Sequence, residues 1–153
     1  MRTFVFDEWL WADLSGEKGQ DAQRESFILL KSIFEKCDRM VAVRGSPFLR
    51  KFYNLAGKTN IGDPRRAIIK FFKVQFLENS EKLCLLQEDE LSEIPKEIEH
   101  KVKEDDKYLV RAYLATQADL LVTSDNPLMK ALCDSRIRFL DRASFVSEYI
   151  KGE

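Results

Sequence analysis

Asp105-Asp106-Lys107-Tyr108-Leu109-Val110-Arg111-Ala112, followed by Ala118-Asp119-Leu120-Leu121-Val122-Thr123-Ser124-Asp125, decides the fold of this chain. The first segment reads as an acidic helix start and its helix. The second reads as a turn and a short buried strand, residues 120–124, that ends in a carboxylate. A second apolar strand, Thr3-Phe4-Val5-Phe6, also runs into an aspartate, Asp7. In an open parallel sheet, the carboxyl ends of strands and the amino ends of helices share one edge, where ligands bind. Asp7, Asp106 and Asp125 can therefore meet there. Three carboxylates at one point repel unless a hard cation lies among them, and all-oxygen donors suit Mg²⁺ or Mn²⁺.

Outward from these segments, strands and helices alternate. The pattern predicts strands at 3–7, 40–43, 83–86, 120–124 and 137–140. After the first strand comes a loop carrying Gly16 and Gly19, then a helix over about 21–37 with Phe27, Leu30, Ile33 and Phe34 at helical spacing. Ser46-Pro47 reads as an N-cap and first helical residue, and Asp63-Pro64 repeats that signal for a helix to about 79. Pro95, Asp105 or Asp106, and Asn126-Pro127 open further helices. An amphipathic helix through Phe145, Val146 and Tyr149 closes the chain. This order predicts one domain over 1–153, a three-layer α/β/α fold with a central, mainly parallel sheet of about five short strands.

Composition agrees. The chain has 153 residues, of which 44% are hydrophobic and 11% aromatic, as expected of one folded domain rather than a disordered chain. No apolar run approaches the roughly 20 residues that span a bilayer, and the start lacks signal-peptide character. A cytoplasmic protein with no membrane partner is expected. Cys37, Cys84 and Cys133, odd in number and widely spaced in apolar segments, read as buried reduced thiols. The net charge of −1 conceals an asymmetry. Between Arg44 and Lys73 there are eight basic residues and one acid, whereas Glu81 to Asp106 holds ten acids and four lysines. Either run is compatible with a solvated helix surface; together they also suit a polyanion on one face and a metal on another.

The segment Asp106-x-x-Leu109-x-x-Ala112 … Ala118-Asp119-x-Leu121-Val122-Thr123-x-Asp125 resembles the PIN domain, a metal-dependent ribonuclease family that includes toxins of toxin–antitoxin pairs. Phe4-Val5-Phe6-Asp7 is similar to that family's opening strand, and Ile137-Arg138-Phe139-Leu140 … Phe145 to its close. The resemblance implies that Asp7, Asp106 and Asp125 are catalytic and hold Mg²⁺ or Mn²⁺, with Asp105 assisting its neighbour. It implies RNA phosphodiester hydrolysis, in which divalent ions activate water and stabilise the leaving oxygen. Thr123, two residues before Asp125 and so on the same strand face, would orient a carboxylate or a water. Arg44, Arg50, Lys51, Arg65 and Arg66 would hold the RNA backbone through phosphate contacts. An antitoxin-type protein partner and a homodimer through Phe71, Phe72 and Phe76 are further expectations, with plain core packing the alternative for these rings. Trp9 and Trp11 are read as packing residues, with base stacking as the alternative. His100, the single histidine, is expected in solvent.

Two departures stand out. The family usually carries a Glu on the helix after the second strand, but here that helix reads Ser46-Pro47-Phe48-Leu49-Arg50-Lys51-Phe52-Tyr53, with no acid. Either a basic residue leaves a weak or inactive site, making the chain a degenerate RNA- or protein-binding module, or another acid substitutes, with Glu25 and Glu35 the candidates. The second departure is Glu8-Trp9 after Asp7, where small or hydroxyl residues are usual. Rival readings are weaker. An aspartyl phosphatase wants an acid at the position of Trp9, a receiver domain wants a later Asp and Lys at strand ends, and a nucleotide-binding fold wants a glycine-rich phosphate loop.

Overall fold

The computed structural model describes residues 1–152. The strands are β1 (Thr3–Phe6), β2 (Arg39–Val43), β3 (Leu83–Leu86), β4 (Leu120–Val122) and β5 (Phe139–Leu140). They form one all-parallel sheet in the order β3-β2-β1-β4-β5. The helices are α1 (Trp9–Leu14), α2 (Gln20–Glu35), α3 (Pro47–Lys58), α4 (Arg65–Phe72), α5 (Lys96–Glu99), α6 (Lys107–Thr116), α7 (Asn126–Leu132) and α8 (Arg142–Lys151). The expected α/β/α fold is therefore the observed one.

Alternation along the strands builds two cores, because successive side chains point to opposite faces. Phe4, Phe6, Met40, Ala42 and Val122 face α1, α2, α3, α4 and α8. Val5, Val41, Val43 and Leu121 face α5, α6 and α7. In register, Val5 lies between Val41 and Leu121. Strands this short hold because both faces are covered, which is why they read as continuous apolar runs.

Residues 9–14 were expected as loop but form α1. Leu10, Trp11 and Leu14 are buried at helical spacing, and Gly16 turns the chain back with φ +90°. Trp11 packs against Phe48, Phe52 and Phe72, joining α1 to α3 and α4. The helix expected over about 64–79 is divided into α4 and a π-helical turn, Lys73–Leu77. Phe72 and Phe76 are fully buried in this chain, and Phe71 packs edge-on against Phe27 and Phe34. The cysteine expectation fails in part: the thiols are unpaired, but Cys37 and Cys133 are exposed and Cys84 is half-buried. Cys37 ends up outside because it occupies the left-handed turn between α2 and β2, at φ 63°. Among the described residues, no helix is long and apolar enough to cross a membrane.

Candidate functional site

From β1 the chain moves outward to β2 and β3, then returns to β4 on the other side of β1. The order reverses between β1 and β4, and a crevice opens at the carboxyl ends of such a pair. Asp7 directly follows β1, and Thr123, Ser124 and Asp125 directly follow β4. The Asp7 N–H donates to the Val122 carbonyl at 3.1 Å, tying the two strand ends together. The fully buried Thr123 hydroxyl donates to Asp7 Oδ2 at 2.7 Å and accepts the Asp125 N–H at 3.1 Å. The Glu8 N–H donates to Asp7 Oδ1 at 2.6 Å. Asp7 is thus oriented through both carboxylate oxygens.

Asp106 and Asp125 occupy the N-cap positions of α6 and α7, yet neither side chain caps its helix. Ser46 and Asp141, which begin α3 and α8, do cap, accepting from Leu49 N–H at 3.4 Å and Ser144 N–H at 2.8 Å. Burial, the neighbouring Asp125 carboxyl and the charges of Asp7 and Glu8 push the Asp106 carboxyl up to about 7. Glu8 is also raised, first by burial and then by Asp7, while Lys51 and the Tyr108 hydroxyl work in the opposite direction. Asp105 is exposed and lies to one side of the group, lining a shallow groove with Arg44, Arg50 and Tyr108.

The basic residues divide. Arg44 and Arg50 are exposed in that groove, and Lys51 is close enough for its charge to act on Glu8. Arg65 is paired with Asp63 at 2.8 Å and reaches the Ser15 carbonyl at 3.3 Å. Arg66 donates to the Thr59 carbonyl at 2.8 Å. These last two are committed within the chain. A cavity of about 800 Å³ lies beside α3 and α4, and Asp7, Glu8, Asp106 and Asp125 do not line it.

Neither candidate for the missing acid reaches the group. The Glu25 carboxylate is held by Arg142 at 2.8 Å, and Glu35 ends α2, at the opposite edge of the sheet where β2 begins. Trp11 is core. Half-buried Trp9 donates its indole N–H to the Val122 carbonyl at 3.0 Å, packs edge-on against Phe6, and carries the Arg142 guanidinium 5.7 Å from its ring centroid. Both tryptophans are packing residues. His100 is exposed.

Sequence reasoning missed Glu8 and Tyr108 as members of the group. The Tyr108 hydroxyl lies 3.5 Å from Glu8 Oε1. The signal for Glu8 was its adjacency to Asp7. For Tyr108 it was the placement of a phenol two residues after Asp106, near the start of α6. The side-chain donors of the group are all oxygen, the donor type that hard divalent ions take. Among the described residues, no group of three or more His, Cys, Asp or Glu side chains is placed so that it could hold a metal ion. Asp125, Asp7 and Glu8 lie near enough for their charges to act on Asp106. Compared with protein-family models and with curated proteins, the chain matches none.

Proposed function

We propose that this protein is a PIN-like, Mg²⁺- or Mn²⁺-dependent endoribonuclease that hydrolyses RNA phosphodiester bonds. One observation carries the reading. Two acids stand at helix N-caps without capping, and crowd each other beside Asp7 at the switch point of a parallel sheet. An arrangement that leaves like charges together is retained for a ligand more readily than for stability.

Asp7, Asp106 and Asp125 would hold the ion, which when bound would lower the pKa of an attacking water and offset charge on the leaving oxygen. Thr123 fixes the Asp7 carboxylate and, through the Asp125 N–H, the loop that carries the third acid. Asp106 changes protonation near neutrality, so the ion and a proton compete for the same oxygens. Arg44, Arg50 and Lys51 flank the acids and would position phosphates without reading sequence.

A second reading rests on Lys51. An ammonium acting on Glu8 supplies part of the missing positive charge, as in a module that binds RNA or protein without cutting. A fluorogenic single-stranded RNA separates the two. The nuclease reading expects Mn²⁺-dependent cleavage that EDTA stops and Asp125→Asn abolishes. Cleavage surviving in Asp125→Asn would sink it. Metal-independent, salt-sensitive RNA binding without turnover would favour the second reading.

A further inference from the structure

We propose that the cavity beside α3, α4 and the π-helical turn binds an anionic amphiphile, with an acyl chain against its apolar end and a carboxylate head group at its basic end. The site is separate from the acids at the switch point and does not depend on the metal-dependent reading.

The cavity holds about 800 Å³, a volume typical of small-molecule sites, which are mostly apolar with a few placed polar groups. It has a direction. At one end the Thr59 carbonyl, just after α3, accepts from Arg66 Nη1 at 2.8 Å, near the start of α4. At the other end Phe52 of α3 packs against Phe72, which stacks on Phe76 of the π turn. From the Thr59 end, Arg66, Lys70 and Lys73 follow one another at about one-turn spacing along the wall. Phe52, Tyr53, Val74 and Leu77 line the opposite end.

Three observations mark this as a binding site. Apolar side chains are exposed together here: Tyr53 is 55% and Val74 43% exposed, and Ile61, 95% exposed, sits in the loop joining α3 to α4. Among the described residues these are three of the five exposed large hydrophobics, and clustered exposure of this kind points to a ligand. The cations are also available. Lys70 and Lys73 are exposed and form no ion pair among the described residues. Arg66 uses one N–H on Thr59, which anchors the guanidinium and leaves its other donors. Among the described residues the single acid in the lining, Glu78, lies beyond Leu77 and repels a head group from the apolar end. Charge therefore selects an anion and sets its orientation. Finally, one wall is the π turn Lys73–Leu77, closed by the Glu78 N–H on the Lys73 carbonyl at 2.9 Å, and such turns recur at functional sites. A second copy of this chain is the poorer occupant, because a two-fold contact would bring two copies of the same basic edge together.

Calorimetric titration of the full chain with dodecanoate, kept below its micelle concentration, tests the proposal. Saturable binding is expected, with dodecyltrimethylammonium, the same chain on a cationic head, at least about tenfold weaker. Lys70→Gln combined with Lys73→Gln, both at exposed positions, should weaken dodecanoate binding about fivefold. Val74→Glu, which places a carboxylate at the apolar end, should abolish it. Thermal melts of each variant separate loss of binding from loss of fold. A wild type that does not bind dodecanoate overturns the proposal and leaves the groove to a helix of a protein partner. Equal affinity for the two head groups overturns the role of the basic end, and full affinity in Val74→Glu overturns the placement of the chain. A dimer in light scattering that Val74→Glu dissolves overturns the proposal in favour of a second copy.

Discussion

Replacing Arg142 with Met should lower the stability of the whole domain by stranding a buried charge beside α1. Arg142 Nε lies 2.6 Å from Asp13 Oδ2 and Nη2 lies 2.8 Å from Glu25 Oε1. The side chain of Asp13 is 5% exposed, so without Arg142 its charge keeps only the Ser26 hydroxyl, at 2.7 Å. Removing one partner of a buried pair costs about 3–5 kcal/mol, because the other charge is stranded. The Glu25 side chain, 46% exposed, adds little. Loss of the guanidinium over Trp9 adds about 0.5–1 kcal/mol. Met retains the apolar stem, and the Ser26 bond moderates the loss, so we expect about 3 kcal/mol, or roughly 6–12 °C in Tm for a domain of this size. Urea titration should show a lower midpoint with an unchanged slope. Asp13→Asn in the Arg142→Met background should recover most of the loss, since no charge is then stranded. A cost under about 1 kcal/mol, or no recovery in the double variant, refutes this reasoning.

Asp106→Ala separates cap from ligand: a capping Asp costs about 1 kcal/mol when truncated, but here the cost in metal-free buffer should stay below about 0.5 kcal/mol, while Ser46→Ala should show the full penalty. Equal losses in the two would make Asp106 an ordinary cap. The pH dependence follows from the raised Asp106 carboxyl. Its folded value of about 7 exceeds the ordinary 3.8, so the folded state holds a proton that the unfolded state has released. Stability should therefore fall as pH rises from about 4 to about 7 and then level off. This slope should be shallower in Asp106→Asn, and identical slopes would contradict the placement. At the end of α6, exposed Gln117 sits in the left-handed region at φ 51°, so Gln117→Gly should raise stability by about 0.5–1 kcal/mol in a urea titration. A destabilised variant would show that the Gln side chain matters more than the backbone.

The layered fold was legible because strand and helix signals agreed locally. Ser46-Pro47 starts α3 as read, and the apolar run 83–86 is β3. The short helix α1 escaped because its six residues lie between an acidic start and a glycine turn, too brief for a periodic signal. The switch point followed from two strands ending in Asp, and with it the placement of Asp7, Thr123 and Asp125. What sequence could not supply was partnership across distance. Asp13 and Arg142 are 129 residues apart, and Glu8 and Tyr108 are 100 apart. Nothing local marks Glu25 as captured by Arg142, or Arg65 and Arg66 as occupied within the chain. Whether an Asp at a helix start caps or faces a crevice is likewise a matter of side-chain direction, which composition does not carry.

A calorimetric Mn²⁺ titration of wild type beside Asp7→Asn and Asp125→Asn tests most directly the proposal that Asp7, Asp106 and Asp125 form a metal site. Saturable binding by wild type, accompanied by proton release near neutral pH, and its loss in both variants are expected. No binding by wild type at millimolar Mn²⁺, or binding that survives both substitutions, would contradict it.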